Sequence, residues 1–143
     1  MNYILSVLLF LSLGIFDQDI PLQITVNDLR SANGNISVSV FVDDEGFKNE
    51  KAFLHKVFSK EEYLVGKTFS CKLDLPEGRY GIVILDDENA DGDMDYNWIG
   101  VPKEGYGFSN FIHKGFSKPA YSDFEFDLNK DTKEMNISLR YFN

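Results

Sequence analysis

The feature that most constrains this chain is two-residue alternation of apolar and polar side chains, which recurs in five separate stretches. Leu22, Ile24 and Val26 alternate with Gln23, Thr25 and Asn27, and Ile36, Val38, Val40 and Val42 follow the turn residues 31–34. Phe69, Cys71, Leu73 and Leu75 interleave with Ser70, Lys72 and Asp74. Near the carboxyl end Phe124, Phe126 and Leu128 alternate, then Met135, Ile137, Leu139 and Tyr141, with polar residues 129–133 between them. A period of two puts alternate side chains on one face of a strand, whereas a helix needs apolar residues three and four apart. The first two stretches read as an antiparallel hairpin with one face buried. Leu75-Pro76-Glu77-Gly78 reads as a turn, because Pro fixes φ and Gly accepts positive φ. Residues 79–85 form a denser apolar run, expected to be a central strand buried on both faces. Residues 44–66 follow neither period and are expected to be an excursion with one strand around 52–58. Six or seven short strands and no helix of ten residues predict an all-β, antiparallel β-sandwich.

A chain of 143 residues suits one domain, and 43% hydrophobic residues suffice for a core. Residues 1–14 contain no Asp, Glu, Lys or Arg, and their apolar stretch at 4–13 is too short for the ~20 residues of a spanning helix. It matches the core of a signal peptide, with Ser12 and Gly14 as the small residues before cleavage. The expectation is a signal peptide at 1–14 and a single exported domain at 15–143, periplasmic or extracellular. Cys71 is the single cysteine, so no internal disulfide can form, and its place in a strand's apolar register makes it a core thiol.

The formal charge is −9, which disfavours nucleic acid and anionic membrane as partners. Residues 86–95 hold six acids and no base and so supply −6 of that charge. Within them, Asp87 to Asp95 satisfies D-x-[DN]-x-D-G, the first half of an EF-hand-type calcium loop. Calcium takes roughly 6–8 oxygen ligands, and alternate side chains on a tightly curling loop can converge on one centre. Asp87, Asn89 and Asp91 occupy the first, third and fifth positions, and Gly92 allows the sharp turn at the sixth. Asp93 offers its backbone carbonyl, and Asp95 binds directly or through water. The twelfth position, where an EF-hand has a bidentate Glu, holds Trp98. The flanks read as strand and irregular loop, so the site must be closed by an acid from elsewhere, and Glu104 is the candidate. The competing expectation is a solvated turn in which these side chains bond nearby backbone amides.

The segment LPEGRYGIVILDDENADGDMDYNWIGVPKEGYGFSN resembles the bacterial DUF2141 family. The resemblance rests on Leu75, Pro76, Gly78 and Tyr80, then Asp87, Asn89, Asp91, Gly92 and Asp95. It continues through Gly100, Pro102, Glu104, Gly105, Gly107, Phe108, Ser109 and Asn110, and covers about residues 22–141. It implies an exported, single immunoglobulin-like or prealbumin-like antiparallel β-sandwich of about seven strands, and no assigned activity.

Catalytic signatures are sparse. His55 and His113 stand far apart, and no G-x-S-x-G elbow or phosphate-cradling glycine loop occurs. A hydrolase working through two facing carboxylates is the remaining enzymatic alternative. Between residues 96 and 121 lie seven aromatics: Tyr96, Trp98, Tyr106, Phe108, Phe111, Phe116 and Tyr121. The expectation is that they pack a long irregular loop onto the sandwich. The alternative is an adhesion surface for a glycan or a cell-envelope protein. The function expected is thus a non-enzymatic exported domain whose loop binds Ca²⁺ and orders the aromatic segment that follows.

Overall fold

The computed structural model describes residues 18–142, so the signal segment expected at 1–14 lies outside the described residues. Strand β1 (Ile20–Asn27) lies between β5 (Thr68–Leu75) and β9 (Glu134–Ser138), and β4 (Leu64–Val65) borders β5. In the second sheet β6 (Gly78–Asp87) is central. On one side of it stands β2 (Asn35–Phe41), with β3 (Leu54–Ser59) beyond. On the other side β7 (Gly105–Phe108) pairs with its second half and β8 (Glu125–Leu128) with its first. Three short helices punctuate the connections: α1 (Asp44–Lys48), α2 (Lys60–Tyr63) and α3 (Tyr121–Phe124). None of the described helices is long and apolar enough to cross a membrane.

The alternating stretches become strands except at their ends: Val42, Leu139 and Tyr141 lie beyond β2 and β9, and Phe124 closes α3 and packs in a separate core. The remaining apolar sets meet in one core. Leu22, Ile24 and Val26 of β1 face Ile36, Val38 and Val40 of β2, with Phe69, Cys71, Leu73, Ile82, Ile84, Met135 and Ile137. The architecture is the expected all-β sandwich, with nine strands among the described residues rather than about seven. The extra ones are short: β4 has two residues, and β7 lies inside the stretch read from sequence as an irregular aromatic loop.

Two expectations about pairing are corrected. β1 and β2 do not form a hairpin, since β1 pairs with β5 and β9 whereas β2 pairs with β3 and β6. The link between them carries Asp28 at φ 60° and Gly34 at φ 80° and takes the chain from one sheet to the other. Alternation specifies which side chains point inward, not which strand lies alongside, and two strands burying the same core from opposite sheets look like a hairpin in sequence. The sandwich is also not wholly antiparallel, because β1 and β9 run parallel, with Ile24 beside Met135 and Val26 beside Ile137.

Around β6 the second sheet is covered on both faces, which accounts for the dense apolar run of that strand. Tyr80, Ile82 and Ile84 point into the sandwich. On the outer side Phe41, Phe47, Phe108, Tyr121 and Phe124 form a second core, with Val83 and Tyr106 packed against it. Phe124 is fully buried there, with ring centroids 4.8 Å from Phe47 and 5.0 Å from Phe108. Gly81 belongs at this contact, since a Cβ would come 2.5 Å from the Phe124 ring.

Candidate functional site

The acidic loop hangs from the ends of two paired strands. β6 and β7 run antiparallel with Asp86 opposite Gly105, so Glu104 stands one step further, level with Asp87. Both carboxylates are buried, Asp87 at 1% exposure and Glu104 at 4%. Glu104, the acid the sequence offered for closing the loop, is thus placed at its neck, because strand register returns the chain to where it left.

Backbone amides grip both groups. Asp87 accepts from the amide of Asp91 at 3.1 Å and of Gly92 at 3.0 Å. Glu104 accepts from Glu88 at 2.9 Å and, through its other oxygen, from Asp95 at 3.3 Å. The tight curl requires left-handed backbone at Ala90, φ 59°, and Gly92, φ 90°. Asn89 lies between the other acids, its Nδ2 donating at 2.9 Å to Asp91 Oδ2 and at 2.9 Å to Asp95 Oδ2. Asp91 Oδ1 accepts from the amide of Asp93, an exposed residue. The turn-type bonding anticipated from sequence is therefore present. Among the described residues no group of three or more His, Cys, Asp or Glu side chains is arranged to hold a metal ion. Asp87 and Glu104 share the neck, and Asn89 links Asp91 to Asp95.

Electrostatically the neck is uncompensated. Among the described residues Asp87, Asp91, Asp93, Asp95 and Glu104 take part in no ion pair. Burial pushes the Glu104 carboxyl above the usual range; the amides of Asp95 and Glu88 oppose that, and the charge of Asp87 adds to it. The nearest guanidinium serves the rim instead. Arg30 Nε donates to Glu88 at 2.7 Å, and its Nη2 donates to the Lys103 carbonyl, which straps both stems of the loop. Nothing in the sequence around a single arginine signals that role.

The aromatic segment divides. Phe108 and Tyr121 are buried in the outer core and Tyr106 is half-buried, whereas Trp98 is 95% exposed and Phe116 81%. Trp98, Tyr106 and Phe108 therefore make no single flat patch. Between this segment and the outer face of the second sheet lies a cavity of about 330 Å³, lined by Phe41, Phe47, Val83, Tyr106, Phe116 and Lys118 among others. The Tyr106 hydroxyl and His113 Nδ1 are 2.8 Å apart at its wall. Lys118 donates to the Phe47 carbonyl, and Arg140 holds the 113–115 backbone through two carbonyls. The sequence reading missed this cavity, because its walls come from β2, α1, β6, β7 and irregular segments far apart in the chain.

No curated protein and no solved structure gives a significant match to this chain. Residues 24–136 match the profile of the family described as uncharacterized protein conserved in bacteria, DUF2141. That span includes every strand residue forming the loop's neck and all of the acidic loop. The chain belongs to the DUF2141 family of bacterial proteins.

Proposed function

We propose that this is an exported, non-catalytic β-sandwich domain that takes up calcium at the neck of the β6–β7 loop and uses the ion to hold residues 88–104 in one conformation. The observation that carries the reading is the pair Asp87 and Glu104, both buried, level on paired strands and without a basic partner. Like charges directly opposite one another on a sheet repel, and a buried charge normally has a counter-charge or a metal. A divalent cation meets both demands, and a hard-oxygen donor set selects calcium or a similar ion over softer metals. The ligands in this reading are carboxylate oxygens of Asp87, Asp91, Asp95 and Glu104 and the Asp93 carbonyl. The sixth is the Asn89 side-chain oxygen, after a half-turn of its amide that replaces Nδ2 with Oδ1 between Asp91 and Asp95. Export rests on the composition of residues 1–14.

Titration calorimetry of the purified domain with Ca²⁺ tests the metal. The expected result is measurable heat and a Tm that rises with calcium and falls back with chelator. No heat, together with a Tm indifferent to chelator, overturns the reading.

A further inference from the structure

Beside Asp87, at the same end of β6, lies a different buried pair. Lys60, the first residue of α2, and Asp86, near the end of β6, have side chains with no exposed surface, and they meet as an ion pair. Lysine is almost never fully buried, and the charges of such a pair lose their hydration with little in return unless every remaining donor and acceptor is bonded. Here Asp86 Oδ1 has only the amine beside it: it meets Nζ as an ion-pair partner and has no other donor among the described residues. The rest of the surroundings are organised. Lys60 Nζ donates to the Ser31 carbonyl at 3.0 Å, and the Tyr141 hydroxyl donates to Asp86 Oδ2 at 2.5 Å.

We infer that Lys60 and Asp86 condense to an intramolecular isopeptide bond, with the Tyr141 hydroxyl stabilising the charge that gathers on Oδ2. The ammonium passes one proton to Oδ1, which it faces, and the freed lone pair forms the Nζ–Cγ bond, with negative charge gathering on Oδ2 under the Tyr141 hydroxyl. Nζ then gives Oδ1 a second proton, the Cγ–Oδ1 bond breaks as the Oδ2 charge closes the carbonyl, and Oδ1 leaves as water with two of the three ammonium protons. The third stays on the amide nitrogen, and no other reagent is consumed. The site favours this outcome because condensation abolishes two buried charges and the dry surroundings keep water from reversing it. The bond ties α2, which follows an edge strand of the second sheet, to that sheet's central strand, and encloses β4 and β5 of the first sheet in a covalent loop.

Intact mass spectrometry and peptide mapping of the purified chain decide the matter, with the amino terminus assigned in the same digest. The wild type should be lighter than its sequence by one water, and the digest should yield one branched peptide containing both Lys60 and Asp86. Lys60→Met and Asp86→Ala should each return to the full sequence mass. A wild type at full sequence mass, with Lys60 and Asp86 on separate peptides, overturns the proposal. So does a water loss that persists in Lys60→Met, since it would come from cyclisation elsewhere, for example at Asp91-Gly92.

Discussion

Gly34 shows how much one residue outside the acidic loop controls it. It sits at φ 80° just before β2, and a Cβ there would collide with the backbone of Asp87 and Glu88. Gly34→Ala therefore suffers left-handed strain of about 1–2 kcal/mol and must also displace the start of the loop. The expected outcome is a lower urea midpoint than wild type, measured by equilibrium unfolding, with weaker calcium binding in the same variant. A midpoint equal to wild type would show that Gly34 is replaceable. Other single residues were readable in advance. Cys71 alternates with polar neighbours, and it is buried, its thiol pushed up to about 12 by desolvation. The return of Glu104 to the start of the acidic loop was legible because it is the first acid after Asp95. Lys60 was not, since a lysine beside two glutamates reads as solvated surface, and only the turn of α2 drives it inward.

At the scale of elements, short segments decide more than their length suggests. β7 has four residues, yet its register with β6 delivers Glu104 to Asp87 and puts Phe108 into the outer core. α3 is a single turn that contributes Tyr121 and Phe124 to that core. Phe124→Ala removes a fully buried ring contacting Phe47, Phe108 and Tyr121, and such a truncation costs about 3–5 kcal/mol. Thermal unfolding should show the loss. Amide exchange should quicken across 105–124, which that core anchors, and unchanged exchange there would mean the cover does not depend on it. The sequence showed strand positions well and strand partners poorly. β1 and β2 have the alternation and spacing of a hairpin, but the link at 28–34 carries the chain across the sandwich, and partners of β1 come from residues 69–75 and 134–138. β7 escaped notice because Gly105-Tyr106-Gly107-Phe108 has no β-branched residue and its pairing with β6 is what makes it a strand.

Over the whole molecule, −6 of the −9 charge is concentrated at one end of the central strand, where Asp87 and Glu104 are buried side by side. The Glu104 carboxyl lies above its ordinary 4.5, so its protonated form favours the fold. The stability it contributes is fully present below 4.5 and lost as pH rises through the raised value. In calcium-free buffer Glu104→Gln, which cannot ionise, should therefore melt higher than wild type at neutral pH. A gain of roughly 0.2–1 kcal/mol is the scale for a cross-strand like-charge pair. The advantage should shrink as pH approaches 4.5 and reverse in excess calcium. Melting curves of both proteins across pH, with and without the ion, check this, and a variant less stable than wild type in chelator would refute it. The sequence by itself determined the fold class, the inward side chains and the position of the acidic loop, because periodicity and turn chemistry are local properties of neighbouring residues. Only the tertiary structure decided which strands pair, that Asp87 and Glu104 face each other in a buried neck, and that Lys60 meets Asp86. Those juxtapositions follow from register and packing between segments distant in the chain, and local pattern does not encode them.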